Sequence, residues 1–98
     1  MKINRTLEGS ALTLALEGRL DTTTAPDLEQ VIKADLDNAD ALVIDFAKLD
    51  YISTAGLRVL LSAHKAMEKK GGMKFVHVND MVMEIFEVTG FSDILTVE

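Results

Sequence analysis

The chain reads as one α/β domain spanning residues 1–98, with a mixed, mainly parallel β-sheet that opens with an N-terminal hairpin and carries three main helices. Three observations predict this. Apolar residues alternate with polar or small ones on both sides of Gly9-Ser10, the pattern of two antiparallel strands joined by a tight turn. Leu42-Val43-Ile44-Asp45-Phe46 is a nearly continuous apolar run, which suits a central strand covered on both faces. Between and after these runs, apolar residues recur at helical spacing, so strand and helix signals take turns along the chain.

The elements follow in order. Ile3 and Leu7 mark the first strand, and Leu12, Leu14 and Leu16 the second. The polar stretch from Arg19 to Pro26 leads into the first helix, with Thr24 as its N-cap and Pro26 in its first turn. Leu28, Val31, Ile32 and Leu36 give that helix one buried stripe, which ends at the acidic turn Asp37-Asn38-Ala39-Asp40. The strand at Leu42–Phe46 comes next, then a loop over 49–54. A second helix over 55–70 buries Leu57, Leu60, Leu61, Ala63, His64 and Met67, ends on solvated Lys65, Lys69 and Lys70, and stops at Gly71-Gly72. Met73–Val78 is a strand, Asn79-Asp80 caps a third helix through Phe86, Gly90 closes it, and residues 94–97 add a short last strand. Each strand-helix-strand unit crosses over right-handed, leaving its strands parallel.

Composition removes several function classes. With 16 acidic and 10 basic residues, the net charge of −6 repels nucleic acid. No apolar run approaches the roughly 20 residues of a membrane-spanning helix, and the first residues lead into strand alternation, so a soluble cytoplasmic protein without membrane insertion is expected. The absence of cysteine excludes disulfides and thiolate chemistry. His64 and His77 lack the spacing of a metal site and are read as packing residues, and no acid-base or nucleophile constellation supports catalysis. Neither a metal nor a cofactor is expected on this chain.

The chemistry collects at Ser53-Thr54-Ala55-Gly56-Leu57-Arg58, where a strand gives way to a helix. A helix entrance has backbone N–H groups without intrahelical acceptors, so a hydroxyl there can cap them and a phosphate would be stabilised by them. Ser53 and Thr54 are therefore read either as caps alone or as caps that also carry a switch. Gly56, a poor helix former in the first turn, suggests close approach of something to that turn, and Tyr51-Ile52 beside the hydroxyls suggest a contact surface.

The run Asp45–Leu60, together with Gly18-Arg19-Leu20-Asp21 and with Gly71-Gly72 followed later by Val88-Thr89-Gly90-Phe91, resembles the STAS family, in particular its bacterial anti-sigma factor antagonists. The resemblance implies a non-enzymatic protein that binds an anti-sigma factor which is also a serine/threonine kinase, thereby freeing a sigma factor. It implies phosphorylation of Thr54 by that kinase, with Ser53 as second choice, and dephosphorylation by a phosphatase. It implies partner contacts from Asp21, Thr22, Thr23, Asp50, Tyr51, Ser53, Thr54, Gly56 and Arg58, with ATP held by the partner and this chain a monomer or weak dimer. The family often has Asp-Ser-Ser-Gly-Leu where this chain has Ser53-Thr54-Ala55-Gly56-Leu57, so the acidic residue is replaced by serine and the acceptor is threonine. Two other readings stand beside it: a STAS docking subunit of a membrane-lipid transport or sensory complex in which Thr54 is not phosphorylated, and a small ligand-binding or enzymatic domain.

Overall fold

The structure, a computed structural model, describes residues 1–91 and the backbone of Thr96 and Val97. Strand β1 (Lys2–Glu8) and β2 (Ala11–Leu20) form the expected hairpin, in which Glu8 pairs with Ala11 and Gly9 adopts φ 61°, the left-handed first position of a two-residue loop. Helix α1 (Ala25–Asp35) runs into a 3-10 turn (Leu36–Asn38), followed by β3 (Ala41–Ile52), α2 (Thr54–Met67), β4 (Met73–Val76), α3 (Asp80–Thr89) and β5 (Thr96–Val97). Of the expected last strand, Ile94 and Leu95 lie outside the described residues.

The sheet order is β1-β2-β3-β4-β5, antiparallel at the hairpin and parallel thereafter. Because each crossover advances to the next strand in the same direction, crossovers of one hand place every helix on the same face. Burial agrees: Leu12, Leu14 and Leu16 of β2 and Leu42, Ile44 and Phe46 of β3 are buried, whereas Thr13, Ala15, Val43 and Asp45 between them are only partly so. The central strand is thus covered on one face, and the expectation of cover on both faces is corrected. Phe46, Phe75 and Phe86 meet at the centre of the core, with ring centroids 5.2 to 6.1 Å apart.

Strand β3 is also longer than its apolar run. Its register to β2 slips twice, once where Ala15 pairs with Asp45 and Glu17 with Lys48, and again where Gly18 pairs with Leu49 and Arg19 with Tyr51. Each slip is an extra residue on β3, so the buried positions run Leu42, Ile44, Phe46, Leu49, Ile52 and break strict alternation. What reads as a loop over 49–54 is therefore mostly strand.

The ends of the elements are fixed locally. Asn79 accepts from the Val82 N–H at 2.8 Å and donates to the Leu49 carbonyl at 3.0 Å, capping α3 and tying it to β3, and Gly90 ends α3 at φ 81°. Lys70 is not a solvated helix end: its ammonium donates to the Leu36 and Ala39 carbonyls, the latter at 3.0 Å, and closes the 3-10 turn after α1. On the helix-covered side, Arg5 of β1 forms an ion pair with buried Asp35 at the end of α1.

Candidate partner-binding site

Strands β2 and β3 are parallel neighbours that end side by side, Leu20 opposite Ile52, so their two exits form one surface. The Ser53 N–H donates to the Leu20 carbonyl at 2.8 Å and locks those exits together. This is where open parallel sheets place their functional loops.

The first exit is organised by Asp21. Its carboxylate accepts from the Thr23 and Thr24 N–H groups at 3.0 and 3.1 Å, and its carbonyl accepts from the Thr24 and Ala25 N–H groups at 3.2 and 2.8 Å. The bonds to the carboxylate hold it below its ordinary range, the Thr24 N–H first among the causes and despite the opposing cost of partial burial. Thr24, expected to cap α1, sits at the N-cap position but gives no side-chain cap. Its hydroxyl instead donates to the Arg19 carbonyl and accepts from the Asp21 N–H, both at 2.8 Å. A short aspartate three residues earlier reaches the turn's amides more directly, which leaves Thr22 and Thr23 exposed.

Beside this turn, the Arg19 guanidinium lies 4.4 Å from the centroid of the Tyr51 ring, and its Nε is 3.9 Å from the Asp21 carboxylate. The second β3 bulge creates this contact by setting Tyr51 opposite Arg19 and leaving Asp50 exposed as the extra residue. Arg19 was not among the residues expected from sequence, since only the bulged register brings it to Tyr51.

The second exit divides the two hydroxyls. Ser53 is the N-cap of α2, in extended backbone, and its Oγ accepts from the Gly56 N–H at 3.3 Å. Thr54 is the first helical residue, exposed, and its hydroxyl makes no hydrogen bond among the described residues. Gly56 is buried rather than on the contact surface. A Cβ there would lie 2.6 Å from Leu20 Cγ and 3.2 Å from Ile52 Cγ1, so what approaches this turn is the chain's own core. Arg58 is exposed one turn further along. Between the start of α1 and α2 runs an open groove of about 300 Å³ lined by Thr22, Ala25, Pro26, Glu29, Ala55, Arg58 and Val59, which joins the two exits.

The histidines lie elsewhere. The His64 ring is 3.3 Å from Glu68. His77, expected to be a packing residue, has a largely exposed side chain, with Nδ1 3.0 Å from the Asp45 carboxylate and a left-handed φ of 56°. Among the described residues no group of three or more His, Asp or Glu side chains could hold a metal ion, and no helix is long and apolar enough to cross a membrane.

The STAS domain family profile matches residues 2–98. A Bordetella bronchiseptica protein named as an anti-sigma factor antagonist, BtrV, is 33% identical over 99% of this chain and 85% of its own length. The structure of an anti-sigma factor antagonist from Mycobacterium paratuberculosis superposes with a TM-score of 0.88 at 25% identity, covering 98% of this chain and 83% of that one. The Bacillus cell fate determinant SpoIIAA in its phosphorylated form shares the fold, with a TM-score of 0.78 at 13% identity over 99% of this chain and 91% of its own. The chain belongs to the STAS domain family, and these relatives are anti-sigma factor antagonists, non-enzymatic regulators.

Proposed function

We propose that this domain binds a kinase-type anti-sigma factor through the surface formed by the β2 and β3 exits, releases a sigma factor, and is switched off by phosphorylation of Thr54. The observation that carries this reading is the division of labour at the α2 entrance: Ser53 is committed to the cap, while the neighbouring Thr54 hydroxyl is exposed and makes no hydrogen bond among the described residues. In the modification, Thr54 Oγ attacks the γ-phosphorus of ATP bound to the kinase, the bond to the β-phosphate oxygen breaks, ADP leaves, and the hydroxyl proton passes to a base on the kinase. A phosphatase reverses it by hydrolysis.

The fold tolerates the product. The phosphate, carrying about −1.5 to −2 charge at neutral pH, sits at the positive end of α2 beside backbone amides. The partner does not tolerate it, because Asp21 and Asp50 already make the adjoining surface acidic and Arg19 is engaged by Tyr51 and Asp21.

Incubation with the kinase-type anti-sigma factor and ATP, followed by mass-spectrometric mapping, tests the reading. One phosphate on Thr54 is expected, retained in Ser53→Ala and lost in Thr54→Ala. Modification that survives in Thr54→Ala but disappears in Ser53→Ala overturns the site. No modification, combined with tight binding to an ATPase subunit, replaces the switch with a docking subunit of a transport or sensory complex.

A further inference from the structure

Resting on the reading of Thr54 as the phosphate acceptor, we propose that Arg58 is the intramolecular receptor of that phosphate. It pairs with it across one turn of α2 and is thereby withdrawn from the partner-facing surface.

Thr54 and Arg58 stand four residues apart in one continuous helix, and both are exposed. Side chains at this spacing are neighbours, with Cβ atoms about 5–6 Å apart, and an anion on the N-terminal side of a cation is the favourable order. The guanidinium fork matches phosphate oxygens and spans that gap without any backbone change.

Arg58 is also available. Of the three arginines in the chain, Arg5 is held by Asp35 and Arg19 by Tyr51 and Asp21, whereas Arg58 forms no ion pair among the described residues. The acidic residue lining the same groove, Glu29, is bound by Lys33 at 2.9 Å. No charged or hydrogen-bonding partner among the described residues uses this cation, and the acceptor hydroxyl lies one turn before it.

The pairing makes the switch two-sided. Phosphorylation adds a dianion beside Asp21 and Asp50 and removes from the same surface a cation that an acidic partner group would meet. The unmodified domain therefore offers Arg58 to its partner, and the modified one does not.

The test installs phosphothreonine at position 54 of the full chain during translation, without any kinase, and follows the phosphate by phosphorus NMR as pH is varied. The second ionisation, ordinarily near about pH 6, is expected to lie at least about 0.5 pH unit lower in the parent than in Arg58→Gln, roughly a threefold change in proton affinity. Arg58→Lys is expected to fall between them, and Lys69→Gln, beyond the other end of α2, to match the parent. Equal values in the parent and Arg58→Gln overturn the proposal, as does an equal displacement in Lys69→Gln, which would reduce the effect to net charge. Because the phosphate is introduced synthetically, failure of a kinase to modify Thr54 would sink the acceptor reading without altering this result.

Discussion

A Cβ placed on Gly56 would stand 2.6 Å from Leu20 Cγ, so the first turn of α2 rests directly on the end of β2. Leu20 is fully buried and the clash falls on its branch point, so it cannot swing aside cheaply. Overpacking of this kind costs about 1–3 kcal/mol, offset by up to about 1 kcal/mol from better helix propensity. Gly56→Ala is therefore expected to lose about 1–2 kcal/mol and several degrees of thermal stability in a chain of this size. A calorimetric scan in which this variant melts at or above the parent would show that the close approach is dispensable.

Ser53 and Thr54 are adjacent hydroxyls with different physical duties. Ser53→Ala removes the acceptor of the Gly56 N–H and is expected to lower stability by about 1 kcal/mol. Thr54→Ala removes an exposed hydroxyl that has no hydrogen bond among the described residues and is expected to stay within about 0.5 kcal/mol of the parent. Urea unfolding of both variants separates them, and a larger loss for Thr54→Ala would reverse the assignment of the cap.

Three carboxylates tie stability to acid. The Arg5 hydrogen bond chiefly lowers Asp35, and the Thr24 N–H chiefly lowers Asp21. At Asp45, burial pushes the carboxyl up, but the Ala47 N–H, His77 and the Lys48 charge together outweigh it and leave it lowered. A depressed native value means the folded state favours the ionised form. The stabilisation is therefore fully present above the ordinary value of 3.8 and is lost as pH falls through the lower native values. The melting temperature should hold steady down to about pH 5 and then fall, with a shallower acid limb in Asp35→Asn. An acid limb of unchanged slope in that variant would remove Asp35 from the account.

Much of this fold was legible because its signals are local. The Gly9-Ser10 turn and the Asn79 and Gly90 caps depend on neighbours a few residues away and appear where the sequence places them. The helical stripes are met in part: Leu28, Ile32, Leu57, Leu60, Ala63 and Met67 are buried, whereas Val31, Leu36, Leu61 and His64 are only partly so, and α2 ends at Met67, short of the expected Lys70. What sequence did not reveal depends on tertiary geometry. The bulges of β3 disguise its last six residues as the tail of a strand and a loop, since an inserted residue breaks the alternation by which a strand is recognised. The pairs Arg5–Asp35 and Arg19–Tyr51 exist only through register, and Gly56 can be assigned to the core only once Leu20 is placed against it. At the helix entrance the local pattern leaves open which hydroxyl forms the cap, and only the family resemblance ranks Thr54 before Ser53 as the acceptor. That Ser53 forms the cap and Thr54 is the first helical residue is a matter of backbone geometry.

The central claim is that a phosphate on Thr54 decides whether the partner binds. Its most direct test is calorimetric titration of the kinase-type anti-sigma factor with the full chain, with and without phosphothreonine at position 54. The account predicts affinity weakened at least about 30-fold by the phosphate, equivalent to about 2 kcal/mol. Equal affinity for the two forms would contradict it.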